Sequence, residues 1–269
     1  MKLAASNIAW KREDDAAVAE LLVEYGVSGV EIAPTAAWPE PLRLPRAALE
    51  EYRAWWEARG VQIVSMQALL FGKPELTLFG DVDARAGMLE HLTGMMDIAA
   101  ALGAGPLVFG SPKNRAVGSL PRNEAAQIAV DFFRAAGTRA EARGVCLCME
   151  PNPPAYDCDF VNTVSDGMAL VDAVHHRGFG LHLDAGAMSL NVESVAETIA
   201  NAARVMRHFH ASEPFLATLG DGASDHAACA DALRGVGYDQ WVSMEMRAPA
   251  DGLVGLRRAL GVLRANYGA

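Results

Sequence analysis

Short runs dense in apolar and β-branched residues alternate with longer stretches of helical period, and the alternation repeats eight times. The short runs are residues 3–8, 29–33, 62–68, 107–111, 145–150, 180–184, 206–211 and 241–246. They have strand length, and each is followed by an amphipathic stretch. In 14–25, Val18, Leu21, Leu22 and Tyr25 fall at i, i+3, i+4 and i+7, one face of a helix. The other predicted helices are 45–59, 84–102, 122–143, 163–176, 192–204, 227–233 and 251–267. Those over 84–102 and 122–143 stop at Gly103 and Gly144, shortly before the next strand, as helix-to-strand turns prefer. Strict alternation implies parallel strands joined by right-handed crossovers. Eight such units in 269 residues predict one closed (β/α)8 TIM barrel, a single domain over residues 1–269. No GxGxxG follows the first run, which argues against a dinucleotide-binding sheet. The Pro- and Trp-rich segment 34–45 and the long connection 71–83 read as loops on the active rim.

Composition narrows the partners. Hydrophobic residues make up 51% of the chain, enough for a large core, and the formal charge is −10 with a pI near 5.2. That charge repels phosphate backbones, so neither nucleic acid nor an anionic membrane is expected as a partner. No apolar run approaches the ~18 residues of a membrane span, and the N-terminus lacks the apolar core of a signal peptide. A soluble cytoplasmic protein is expected, with self-association into homo-oligomers left open. Cys146, Cys148, Cys158 and Cys229 form no CxxC pair and read as buried small hydrophobes in a reducing compartment.

In a (β/α)8 barrel the chemistry sits at the C-terminal ends of the strands. Four successive predicted strands end in Glu150, Asp184, His210 and Glu245. Three carboxylates converging on one mouth repel one another and are costly to desolvate, a conflict that a divalent cation resolves. Three oxygen ligands and one imidazole suit Mn2+, Mg2+, Co2+ or Zn2+, with positions left open for substrate oxygens.

On these residues the chain resembles the xylose-isomerase-like TIM-barrel superfamily, in particular its sugar isomerase/epimerase branch with the ketose 3-epimerases. The marks are Met149-Glu150-Pro151-Asn152, Leu183-Asp184, His208-Phe209-His210-Ala211-Ser212-Glu213 and the run from Gly237 to Glu245. The resemblance implies one divalent metal, Mn2+ foremost, held by Glu150, Asp184, His210 and Glu245. It also implies that Glu150 and Glu245 act as the acid/base pair beside a ketone, with a small polyol or keto-sugar as substrate. Metal bound to carbonyl and hydroxyl oxygens stabilises the enediolate formed when a neighbouring C–H is removed. Two carboxylates on opposite sides of a sugar can take a proton from one face and return it to the other. The chain departs from the epimerase pattern at Ala187, where histidine is common, at Tyr156, where a second substrate-binding glutamate is expected, and at Leu216, where an arginine is expected. These positions concern substrate, so the metal site carries over and the ketohexose does not. The related endonuclease IV branch needs further histidines and acids, one of them at Ala187.

Further candidates for substrate contact are His182, Gln67, Glu31, Asn152, Lys113 and Arg115. His182 precedes Asp184 by two residues and shares its face, where it touches substrate, orients a ligand or packs as a core histidine. His208 relates to His210 in the same way. Gln67 and Glu31 lie at strand ends. Lys113 and Arg115 follow the fourth strand and form an anion clamp or merely a solvated loop. Trp10, Trp38 and Phe71 are candidates for an apolar wall. Alternatives to epimerisation are elimination by a dehydratase or lyase on a keto-sugar or keto-cyclitol, metal-dependent hydrolysis, and a non-catalytic sugar-binding barrel.

Overall fold

Eight parallel strands close on themselves in sequence order: β1 (Lys2–Ser6), β2 (Gly29–Ile32), β3 (Gln62–Met66), β4 (Pro106–Phe109), β5 (Cys146–Met149), β6 (Phe179–Asp184), β7 (Met206–Ser212) and β8 (Trp241–Glu245). The computed structural model describes residues 1–268. Closure is made by β8 against β1, with Trp241 opposite Lys2 and Met244 opposite Ala5. Around the barrel run α1 (Asp15–Glu24), α2 (Pro34–Ala37), α3 (Arg46–Glu57), α4 (Val82–Leu102), α5 (Arg122–Glu141), α6 (Val164–Val174), α7 (Ala185–Leu190), α8 (Val195–Ala202), α9 (His226–Gly235) and α10 (Leu253–Tyr267). The predicted (β/α)8 barrel is therefore the observed one. Among the described residues no helix is long and apolar enough to cross a membrane.

The two parities of the later strands do different work. Leu147, Met149, Leu181, Leu183, Phe209, Val242 and Met244 are buried and belong to the hydrophobic core. The alternate positions His182, Asp184, His208, His210, Ser243 and Glu245 are buried too, but polar. Successive strand residues point to opposite faces, so this second set shares the barrel interior. All six residues of β6 are buried, which suits a strand packed on both faces.

Two local differences from the sequence reading matter for the site. The first strand ends at Ser6, because Asn7 turns the chain into a short 3-10 segment. Asn7 bridges to the residue after β2 instead: its Oδ1 accepts from the Ala33 N–H at 2.7 Å. After β6, two helices replace the single one predicted over 192–204. The additional helix, α7, is capped by Asp184, whose Oδ1 accepts from the Ala187 N–H at 2.6 Å. A carboxylate at this position satisfies an amide that would otherwise be unpaired in the first turn. Gly103 and Gly144 take positive φ at their helix ends, as expected.

Candidate metal centre at the barrel mouth

Glu150 follows β5, Asp184 and Glu245 end β6 and β8, and His210 lies near the end of β7. All four meet at one place. His210 Nδ1 lies 3.2 Å from Glu245 Oε2, 3.8 Å from Asp184 Oδ2 and 3.9 Å from Glu150 Oε1. His210 is fully buried, and Nδ1 has no aligned hydrogen-bond partner. Its other nitrogen, Nε2, is 2.8 Å from Glu31 Oε2. A carboxylate acceptor fixes one proton on Nε2 and turns Nδ1 towards the three carboxylates, where it would carry a second proton in the absence of a cation and a lone pair once one displaces it. An orphaned, buried nitrogen among acid oxygens fits a divalent cation. The donor atoms of Glu150, His182, Asp184 and His210 also all lie within 4.8 Å of one another, so this group can hold a metal ion.

The electrostatics express the same strain. Burial, then the Asp184 and Glu245 charges, push the Glu150 carboxyl up to about 8. Burial and Glu245 raise Asp184 to about 6. Burial disfavours the His210 imidazolium, but the Glu31 and Glu245 charges outweigh it and hold that group well above its ordinary value. Without a metal, the cluster thus retains protons in place of a cation.

Neighbouring groups aim the carboxylates. Ser212 Oγ donates to Asp184 Oδ2 at 2.5 Å, and Asn152 Nδ2 donates to Glu150 Oε2 at 3.2 Å. Gly110, at the end of β4, makes room: a Cβ there would lie 1.8 Å from Glu150 Oε2. Neither Ser212 nor Gly110 is evident as a site residue from the sequence, although Ser212 falls inside the motif that carries His210.

A cleft of about 390 Å³ opens over the cluster, lined by Glu150, Asp184 and Glu245 with Asn152, Tyr156, Asp157, Phe215, Leu216, Arg247 and Pro112. Tyr156 and Phe215 pack edge to face at 5.4 Å between ring centres, and the Phe215 N–H donates to the Tyr156 hydroxyl at 2.9 Å. Phe215 and Leu216 both hold positive φ, near 59° and 58°. Side chains with a Cβ rarely adopt this region, and such strain gathers at ligand sites. Arg247 is exposed and is the only cationic side chain in this lining. It was missed because it lies beyond the last strand residue, on a segment without a motif.

Several expected contacts fall elsewhere. Arg115 is wholly buried. Its guanidinium donates to the carbonyls of Glu150, Phe160 and Phe109 at 2.8, 3.1 and 3.2 Å. It ties strand ends together instead of facing the cleft. Lys113 is exposed but is not among the cleft-lining residues. Glu31 has no solvent contact, and its oxygens are engaged by His208 and His210, so it braces the site from behind. Gln67 donates to Ser6 Oγ at 2.8 Å and lies outside the cleft lining. His182 is buried beneath the carboxylates. Of the six candidates, Asn152 is the one that lines the cleft. The apolar wall is formed by Tyr156, Phe215 and Leu216. Trp10 instead donates to Asp15, Trp38 packs on Tyr52, and Phe71 is 72% exposed. All four cysteines are free, and three of them are buried.

Comparison with known proteins agrees with this architecture. The model of the xylose isomerase-like TIM barrel family matches residues 19–266. An L-ribulose 3-epimerase of Mesorhizobium japonicum is 33% identical over 106 residues, 39% of this chain. The match spans only 35% of that epimerase's length. Among solved structures, a D-psicose 3-epimerase from Clostridium cellulolyticum H10 with D-tagatose superposes with a TM-score of 0.81 at 20% identity, over 100% of both chains. The IolI protein, solved with a bound zinc atom, gives 0.77 at 21% identity, over 99% of this chain and 96% of its own. The chain belongs to the xylose isomerase-like TIM barrel family.

Proposed function

We propose that this protein is a divalent-metal-dependent isomerase or epimerase of a small polyhydroxylated carbonyl compound: a sugar, sugar acid, sugar phosphate or cyclitol. The observation that carries the reading is the unpartnered Nδ1 of His210, facing the carboxylates of Glu150, Asp184 and Glu245. These four residues would hold the ion, Mn2+ foremost. When bound, it supplies positive charge beside a substrate carbonyl, which eases proton loss at the neighbouring carbon.

The chain's own residues then carry the proton. Glu150 and Glu245 rise from β5 and β8, separated by β6 and β7 around the barrel, and reach the cleft from different sides. One carboxylate takes the proton from the carbon beside the ketone, and the other returns it on the opposite face, inverting that centre. Asn152 holds Glu150 in place, while Ser212 and the Ala187 N–H hold Asp184. Tyr156, Phe215 and Leu216 shield the apolar side of the substrate, and Arg247 offers the cleft's cation to a carboxylate, a phosphate or several hydroxyls. With Tyr156, Ala187 and Leu216 in place of the polar residues expected for ketohexoses, the substrate differs from a free ketohexose.

The test is exchange in deuterated water, with the metal-loaded protein and a panel of ketoses, keto acids and keto-cyclitols. Deuterium entering beside the ketone without loss of water is the expected result. A new conjugated enone would assign the same proton abstraction to a dehydratase. No exchange with any panel member, from a protein that does bind metal, would contradict the reading.

A further inference from the structure

His182 stands on β6 two residues before Asp184, fully buried, and neither of its ring nitrogens has a hydrogen-bond partner. A neutral imidazole carries one N–H and one lone pair, and leaving both unpaired in a protein interior is costly. His208, which is just as buried, differs in having its Nε2 engaged with Glu31 at 3.1 Å. His182 is directed at the metal cluster instead. Its Nε2 lies 3.6 Å from Glu150 Oε1, and its ring centre is 4.0 Å from that of His210. Its donor atom lies within 4.8 Å of donors from Glu150, Asp184 and His210, a spacing compatible with one shared ion.

We propose that His182 is a further ligand of the ion, making the centre one of three carboxylates and two imidazoles. The proposal rests on the metal reading above and sharpens it. A second nitrogen donor moves the site away from all-oxygen preference, towards Zn2+ and Co2+ and away from Mg2+.

X-ray absorption fine structure of the chain loaded with one equivalent of Zn2+ tests this directly, because imidazole rings give a distinctive outer-shell scattering that can be counted. The wild type is expected to show two imidazoles, and His182→Asn one. Zn2+ affinity is expected to fall about 100-fold in the variant, at or above the loss caused by removing a ligand's outer partner. Mg2+ affinity should fall less. A single imidazole in the wild type would overturn the proposal and make His182 a packing or water-bound residue, leaving the four-ligand centre intact. No stoichiometric Zn2+ uptake at all would overturn the metal reading itself. The wild-type count needs no variant, and His182→Gln replaces His182→Asn if the latter does not fold.

Discussion

Glu31 reaches into the barrel interior from β2 and binds Nε2 of His210 at 2.8 Å, with no solvent contact at either residue. This pair decides which nitrogen of His210 faces the carboxylates. It also gives Glu31 a compensating partner: burial would raise its carboxyl, but the His210 and His208 charges hold it well below the ordinary range.

Glu31→Gln should therefore weaken metal binding although Glu31 is no ligand. The amide can donate as well as accept, so the His210 tautomer is no longer enforced. A fall of about 10–100-fold in metal affinity is expected, measured by calorimetric titration. Glu31→Ala should in addition cost about 3–5 kcal/mol of stability, because it leaves buried charge unpaired.

Stability and metal response should depend on pH. Glu150, raised from its ordinary 4.5 to about 8, and Asp184, raised from 3.8 to about 6, both bind protons more tightly in the folded chain. A raised pKa contributes stability that is fully present below the unfolded value and is lost as pH rises through the folded one. The metal-free protein should thus lose about 2 kcal/mol between pH 6 and pH 8, a drop of a few degrees in Tm. Added metal replaces the protons, so its stabilising increment should grow over the same interval. Thermal melts with and without metal check this, and an increment that shrinks towards pH 8 would contradict it.

Arg115→Met should destabilise the fold and leave substrate affinity little changed. The carbonyls of Phe109, Glu150 and Phe160 each lose one of two donors, the Glu150 N–H, the Asn152 amide and the Cys158 thiol remaining, so the loss is that of charged hydrogen bonds, about 1.5–3 kcal/mol each. Chemical denaturation measures the loss. A variant of normal stability with a raised KM would restore the anion-clamp role.

Arg247→Gln should behave in the opposite way. The residue is exposed and has no salt bridge among the described residues, so Tm should stay within about a degree of wild type. The KM for the substrate identified by deuterium exchange should rise about 10-fold or more, the value of one charged hydrogen bond. Lys113→Ala is the control and should change neither quantity.

The barrel was legible because eight apolar runs and their intervening helices recur with one period, and because its parallel strands need such crossovers. The cluster was legible because four strand ends carry acids or histidine in a fold whose chemistry lies there. What could not be read was direction. Arg115 and Glu31 look like rim charges in sequence, yet the chain folds both inward, where backbone carbonyls and imidazoles satisfy them. Helix α7 was missed because it is only six residues long and carries Gly186, a poor helix former, in its first turn; the Asp184 cap and the packing of Ala185 and Met188 into the core form it. Arg247 and Phe215 reach the cleft through loop conformations that no local pattern encodes, with Phe215 and its neighbour Leu216 at positive φ.

The central claim is one divalent ion held at the barrel mouth by Glu150, Asp184, His210 and Glu245. Equilibrium dialysis with elemental analysis, on the metal-stripped wild type and on single alanine variants at these four positions, tests it most directly. The account predicts one ion per chain for the wild type, removable by chelator, and a large loss of affinity in each variant that keeps its fold. No uptake of Mn2+, Co2+, Mg2+ or Zn2+ by the wild type, or uptake indifferent to all four substitutions, would contradict it.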